Sequence, residues 1–469
     1  MIDTRLPSSA VIAGLGRTGL SCARYLHAHG CRIAVTDTRE HPPGLEPLRA
    51  SFPDVPVRLG GLDIGLLDGA ACVVASPGLS LQEPFFAAAR ARGLEIVGDI
   101  EIFARAVDAP VVGITGTNGK STVTTLVGRM AARSAVRVRV GGNLGEPALD
   151  LLPGSPQPGN PGERTELYVL ELSSFQLDTT SSLSLRAGAV LNVTPDHLDR
   201  YASMQAYADA KARILARCDI AVVNLDDPLV VSMPKPGQKT LGFSLRASLG
   251  ADYCCVCDER AGSPDAQTPQ AAPVPQWWLA RRGERLMPLS AMKIKGLHNA
   301  ANALAALALG EALGLPLREM LAALAEFPGL PHRSQWVADV NGVTYIDDSK
   351  GTNVGATLAA VGGMHGPLII IAGGDGKNQD FAPLGEAFRG KVRHAILIGR
   401  DAPAVARALE GVCTVEFRTS LPDAVQAAAS AARPGDIVLL SPACASLDMF
   451  RDYAHRGAVF TEAVKELAA

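Results

Sequence analysis

Long apolar runs are missing from this sequence. None reaches the ~18 residues that a membrane-spanning helix needs, and the opening stretch MIDTRLPSSAVIAGLG has no basic segment ahead of a long apolar one, as a secretory leader would. A cytoplasmic protein with no membrane partner is expected. Blocks of like charge are missing too: 44 Lys and Arg face 47 Asp and Glu, for a net charge of −3, so nothing marks a nucleic-acid-binding surface. The nine cysteines are odd in number and scattered, which argues against a disulfide framework and for reduced thiols. Cys254, Cys255 and Cys257 form the one tight cluster, and with no second cysteine or histidine pair nearby they fall short of a zinc site. No repeat of solenoid length is present.

What the sequence does have is length and alternation. At 469 residues, 47% hydrophobic and 19% charged, it exceeds what one core can organise, and at ~100–200 residues per domain three domains are expected. Short β-branched runs alternate with Ala- and Leu-rich stretches, the pattern of parallel sheets covered by helices on both faces. Residues 1–98 hold strand candidates Ala10–Ala13, Arg32–Thr36, Cys72–Ala75 and Glu95–Val97, a Rossmann-like unit. Residues 99–329 open with VVGIT running into a Gly-rich turn and continue through LYVLEL, AGAVLNV and IAVVNLDD to a helical stretch Asn299–Leu313. That reads as a P-loop-type ATPase domain with a mainly parallel sheet. Proline and glycine cluster at Phe327–Pro331 as a linker, and residues 330–469 bring VTYIDD, PLIIIAGG, HAILIG and DIVLLSP, a second Rossmann-like unit. The expected class is three-domain α/β. Between Ser244 and Leu289 the periodicity fades around Trp277 and Trp278, read either as a β-rich excursion or as a mobile surface insert.

In open parallel sheets ligands bind beyond the carboxyl ends of the strands, where loops and helix N-termini converge. Gly14-Leu-Gly-Arg-Thr-Gly19 follows the first strand, and Asp37 ends the second where a ribose-reading acid would lie; alone, this pair suggests NAD, though any nucleotide diphosphate fits. Gly113-Ile-Thr-Gly116-Thr117-Asn118-Gly119-Lys120-Ser121-Thr122 supplies backbone N–H groups for phosphates, a lysine counter-charge and hydroxyls suited to Mg²⁺. It departs from the strict phosphate-loop pattern at Ile114, where glycine is the rule. Glu171 closes an apolar strand and needs a partner, and His197 follows the next strand, so both should emerge on the same edge. Lys211 falls within the apolar stripe Met204, Ala208, Leu215 of a helix expected over 203–217. Either its ammonium snorkels to solvent, or it sits near Mg²⁺ in a neutral or carbamylated form, since an ammonium would repel the metal. In the third unit Asp348, Lys350, Lys377 and Ser446 lie in polar strand-end loops, where the two lysines suit carboxylates or phosphates, and Arg333, just past the linker, is placed to reach across a cleft toward a nucleotide. Cys444 has no His–Asp support and reads as a packed thiol.

These strings occur in a fixed order over nearly the whole chain: GLGRTGLS with DTR, SPG, GITGTNGKST, GGNLGEP, ELSSFQL, NVTPDHLDRY, GLHNAANALAA, PHR, DDSKGTN, GGDGKNQDF and LSPACASLD. The set resembles the Mur ligases, most of all the branch that joins D-glutamate to UDP-N-acetylmuramoyl-L-alanine. The resemblance implies UDP in place of NAD in the first domain, through Arg17, Thr18, Thr38, Arg39, Ser76 and Gly78, with Asn143 contacting the muramoyl peptide. It implies ATP at Gly116, Thr117, Asn118, Gly119, Lys120, Ser121, Thr122, Asn299, Asn302, Arg333 and Asp348. It further implies two Mg²⁺ ions at Ser121, Thr122, Glu171 and His197, with Lys211 carbamylated beside them; Lys120, Glu171, His197 and Lys211 are the catalytic set. Glutamate would lie among Lys350, Thr352, Lys377, Ser446, Leu447 and Tyr453. A monomer acting on small molecules is expected. A relative adding another amino acid or extending folate, and a nicotinamide dehydrogenase or regulatory nucleotide-binding module, are the alternatives. The stretch from Cys254 to Trp278 departs from the family pattern.

Overall fold

Runs such as SAVIA, VVGIT and LIIIAG are buried at every position, so each must be an inner strand covered on both faces. The computed structural model, which describes residues 6–153, 164–258, 276–294, 296–364 and 366–468, places them at the centres of three separate sheets. The first sheet is all parallel, in the spatial order Val57–Leu59, Arg32–Asp37, Ser9–Ala13, Cys72–Ala75, Glu95–Val97. Strand order reverses on either side of Ser9–Ala13, and the crevice beyond its carboxyl end is where the glycine loop lies.

The central sheet repeats this logic on a larger scale. Val111–Thr115 lies between Leu167–Glu171 and Leu185–Val190, with Val138–Gly142 at one edge and Cys218–Asn224, Lys239–Ser244 and Tyr253–Asp258 extending the other, all parallel. Two antiparallel strands, Gln276–Arg281 and Glu284–Pro288, finish that edge. They show the described part of the 244–289 stretch to be β-rich; residues 259–275 lie outside the described residues. Cys254 and Cys255 point into this packing, and burial pushes their thiols up, that of Cys255 to about 12. The helix Leu297–Ala312, alanine- and leucine-rich and buried along nearly its whole length, packs against the sheet beside the helix Lys120–Arg133.

The third sheet runs Gln335–Val340, Val343–Asp347, Ile437–Leu440, Leu368–Gly373, Val392–Ile398, Thr414–Phe417, parallel except for its first strand. Several strands across the three sheets were not anticipated, among them Val57–Leu59, Val138–Gly142 and Thr414–Phe417. They are short and only half-buried, so they lack the continuous apolar signature. Among the described residues no helix is long and apolar enough to cross a membrane.

Candidate active site

The first sheet's switch point opens a cleft of about 520 Å³ that Arg17, Thr18, Thr38, Arg39, Ser76, Gly78 and Asn143 all line. Gly19 has no alternative here, because a Cβ on it would sit 1.9 Å from the Gly14 carbonyl oxygen. Asp37 corrects the ribose-reading expectation. Its carboxylate accepts the Leu15 N–H at 2.6 Å, the Arg39 N–H at 2.8 Å and the Arg39 guanidinium at 2.7 and 2.9 Å. Burial alone would raise its pKa, yet these donors hold it below the ordinary carboxylate range. The acid is consumed in shaping the glycine turn and aiming Arg39, and has no lone pair to spare for a ribose.

In the central sheet the loop after Val111–Thr115 turns into its helix at Gly119, whose φ of +83° is left-handed, and a Cβ there would meet Asn302 Oδ1 at 2.3 Å. Lys120 Nζ donates to the Gly116 and Thr117 carbonyls, both at 2.8 Å. Ser121 Oγ donates to Glu171 Oε2 at 2.5 Å, and Asn143 Nδ2 donates to Glu171 Oε1 at 2.6 Å. Glu171, 3% exposed, thus has the partners that its place at the end of an apolar strand demanded. Thr122 turns away from this carboxylate and lines the neighbouring cleft with Asn299 and Asn302.

Lys211 does not snorkel: it is 1% exposed, its Nζ donates to the Gly116 carbonyl at 3.0 Å and it lies 4.3 Å from the centre of the Tyr207 ring. The helix carrying it is Met204–Ala212, capped by the Ser203 hydroxyl and followed by a tighter turn over Arg213–Leu215, so it ends sooner than expected. Two lysines therefore converge on one carbonyl oxygen. Burial depresses both pKa values, Lys211's well below the usual amine range, with the neighbouring Lys120 charge adding to the effect. His197 adopts φ +56° next to Asp196, its Nε2 3.7 Å from Asp196 Oδ2, and burial lowers its pKa against the pull of that acid.

The third domain reaches into the same space. Arg333 Nη2 donates to Ser121 Oγ at 2.6 Å, so the arginine does cross from the linker to the phosphate loop. Asp348 accepts from the Ser334 N–H at 3.0 Å and the Ser441 hydroxyl at 2.8 Å, and burial raises its carboxyl to about 7. Lys350 Nζ lies 3.9 Å from the centre of the Tyr453 ring, and burial brings its amine down to about 8. Lys377 pairs with Asp196 at 3.5 Å. Ser446 is buried and Leu447 is 71% exposed, and neither lines this cleft or the two beside it. Cys444 is fully buried, and burial pushes its thiol to about 12.

The three clefts adjoin one another. Asn143 is shared between the first cleft and a pocket of about 310 Å³ lined by Lys120, Ser121, Glu171, His197, Lys211, Lys350, Thr352 and Lys377. Asn118, Gly119, Arg333 and Lys350 are shared between that pocket and a third of about 260 Å³, where Thr122, Asn299, Asn302 and Asp348 lie. Among the described residues no group of three or more His, Cys, Asp or Glu forms a metal cage. Serine and glutamate oxygens beside a phosphate loop nevertheless fit Mg²⁺, which is usually held by one or two carboxylates together with substrate phosphates.

Three family models match the chain in succession: the Mur ligase MurD-like N-terminal domain over residues 8–98, the Mur ligase middle domain over 114–310 and the Mur ligase glutamate ligase domain over 332–444. The chain belongs to the Mur ligase family. Curated relatives named UDP-N-acetylmuramoylalanine–D-glutamate ligase include that of Nitrosococcus oceani, 48% identical with 99% of this chain and 98% of that one covered. That of Thiobacillus denitrificans is 48% identical, with 98% and 96% covered. Among solved structures, the UDP-N-acetylmuramate-alanine ligase MurC of Thermotoga maritima shares the fold with this Mur ligase at a TM-score of 0.61 and 19% identity, covering 98% of this chain and 100% of that one. MurF of Acinetobacter baumannii does so at 0.59 and 17%, covering 97% and 90%.

Sequence reasoning missed three residues of the Mur ligase site. Asp196 receives Lys377 and the Asn353 amide, the latter at 3.2 Å. Asn192 brackets Asn118 by accepting its N–H at 2.8 Å and donating to its carbonyl at 3.1 Å. Asn353 caps its own helix while it reaches Asp196. Asp196 had a signal, an acid directly before His197 in a strand-end loop; the two asparagines had none beyond their motifs.

Proposed function

We propose that this Mur ligase is the ATP-dependent enzyme that joins D-glutamate to UDP-N-acetylmuramoyl-L-alanine in peptidoglycan precursor synthesis, working as a cytoplasmic monomer. The observation that carries the reading is the row of adjoining clefts: the outer two suit a UDP-linked substrate and a nucleoside triphosphate, and the middle one gathers Lys120, Glu171, His197 and the third-domain lysines. The near full-length likeness to relatives of that name supports it.

In this reading residues 1–98 hold UDP, 99–329 hold ATP and 330–469 bring glutamate. Ser121, Glu171, His197 and a carbamylated Lys211, with Thr122 nearby, would hold two Mg²⁺ ions, which would supply positive charge at the phosphates. The alanyl carboxylate attacks the γ-phosphorus of ATP, ADP leaves, and Lys120 neutralises charge on the transferring group. Attack of the glutamate amine on the resulting acyl phosphate gives a tetrahedral intermediate that collapses to amide and phosphate. Lys350, Thr352 and Lys377 orient the incoming carboxylates, with Tyr453 backing Lys350. The third domain, already bonded to the phosphate loop through Arg333, keeps water from the acyl phosphate. Carbamylation of Lys211 requires a neutral amine, which adds to CO₂ and releases one proton, and burial of the amine favours that form.

The test is phosphate release with ATP, UDP-N-acetylmuramoyl-L-alanine and each glutamate isomer in turn. Release that depends on D-glutamate is expected. Turnover confined to another amino acid or to a folate, or tight NADH binding without glutamate-dependent ATP use, would overturn the assignment.

A further inference from the structure

Arg200 stands three residues beyond His197, and its guanidinium touches two domains. Nη2 donates to the Leu79 carbonyl at 2.7 Å and Nη1 to the Gly78 carbonyl at 3.4 Å, and both residues wall the first cleft. The same guanidinium covers the Phe175 ring, 4.4 Å from its centre. Phe175 meets the His197 imidazole edge-on at 4.9 Å and stacks on Tyr201 at 5.8 Å, while Tyr201 Oη donates to Asp178 at 2.7 Å. The N–H groups of Arg200 and Tyr201 both donate to the His197 carbonyl, at 2.9 and 3.1 Å. His197 itself holds φ +56°, a left-handed backbone that a residue with a Cβ keeps only where its surroundings impose it.

We propose that Arg200 is a positioning residue that couples the Ser76–Leu79 wall of the first cleft to the His197 turn. Two backbone carbonyls of the first domain aim the guanidinium, the guanidinium holds Phe175, and Phe175 holds the imidazole. Occupation of the first cleft, which sets where Gly78 and Leu79 lie, thereby sets how firmly His197 is held. The inference rests on the proposed reading of the first cleft as the UDP-substrate site and of His197 as part of the reaction centre. Lysine at this position keeps a donor for the carbonyls but has no plane to lay on the ring, so the two halves of the coupling are separable.

Initial rates of purified wild type, Arg200→Ala, Arg200→Lys and Phe175→Leu, each substrate varied in turn, test it. Arg200→Ala is expected to raise the KM for the UDP-linked substrate by about tenfold, the scale of one charge-assisted hydrogen bond, and to lower kcat, with the KM for ATP and glutamate changed less than about twofold. Arg200→Lys should recover most of that KM but not kcat, and Phe175→Leu should lower kcat alone. The Arg200→Ala, Phe175→Leu double variant should lose no more in kcat than the worse single one, as expected of residues on one route. An unchanged KM and kcat in Arg200→Ala sinks the coupling, as does a uniform loss that tracks a lowered thermal midpoint and that lysine repairs in full. A wild type that shows no glutamate-dependent phosphate release sinks the underlying reading instead. A wild type that turns over and an alanine variant that equals it sink only the role of Arg200.

Discussion

Lys211 is 1% exposed, and its amine meets one carbonyl and one aromatic face, with no ion pair among the described residues. A buried amine so placed is poorly stabilised as a cation, and adding CO₂ turns it into an oxygen-rich anion that suits a metal. Lys211→Ala is expected to abolish ligation, and Lys211→Arg should not restore it, because a guanidinium stays charged and does not take up CO₂. Short carboxylic acids added to the alanine variant should return part of the rate; a fully active alanine variant in the phosphate-release assay refutes the role. Asp99 offers a test with a different readout. Burial raises its carboxyl from 3.8 to about 6 against the hydrogen bond from Gln176, and its Oδ1 has no partner among the described residues. The folded pKa lies above the unfolded one, so the stabilising contribution is fully present below pH 3.8 and is lost as pH rises through about 6. Asp99→Asn, which does not ionise, should gain in thermal midpoint relative to wild type across that window and hold a constant difference above it. A difference that stays flat with pH contradicts the assignment.

At the scale of elements, strand ends decide where chemistry lies and glycine decides how closely backbone approaches. The helix Lys120–Arg133 starts from a left-handed Gly119 wedged against Asn302. Alanine there incurs roughly 1–2 kcal/mol of backbone strain and displaces the Asn302 amide as well. Gly119→Ala should therefore raise the KM for ATP by more than about tenfold, measured with the other substrates saturating; an unaltered KM would show the loop to be more yielding than its geometry implies. The Glu171 strand continues into a helix capped by a reciprocal Ser173–Gln176 pair, whose glutamine also donates to Asp99 at 3.0 Å. This strand-to-helix junction thus presents the acidic group and, through its cap, ties down the helix Asp99–Ala106 that follows the first domain.

Across the whole molecule, four side-chain ties draw the third domain onto the central one: Arg333 to Ser121 at 2.6 Å, Asn353 to Asp196 at 3.2 Å and to Asn118 at 3.4 Å, and Lys377 to Asp196 at 3.5 Å. Burial would raise the Asp196 carboxyl, but Lys377 and His197 more than offset it and hold it ionised. Asp196→Ala removes two of the four ties, so small-angle scattering should show a larger radius of gyration with Mg²⁺ and ATP present, and the KM for glutamate should rise. Scattering and KM that match wild type would mean that the ties through Arg333 and Asn118 suffice to keep the domains together. Much of this was legible beforehand, because inner strands are continuous apolar runs and the groups they present follow within a few residues: Gly116 to Thr122 after one strand, Glu171 at the end of another, Asp348 and Lys350 after a third. Local order along the chain is a property of sequence, so the three-domain α/β class and the phosphate loop could be read from it. Which atoms are already spent is not. That Asp37 is used up on Leu15 and Arg39, that Thr122 turns from Glu171, that Leu447 faces solvent and that Arg200 spans two domains depend on side-chain direction and on partners far away in the chain. Such pairings are settled only when the sheets stack and the domains meet, because a hydrogen bond is won or lost over a fraction of an ångström, a distance that no spacing along the chain encodes.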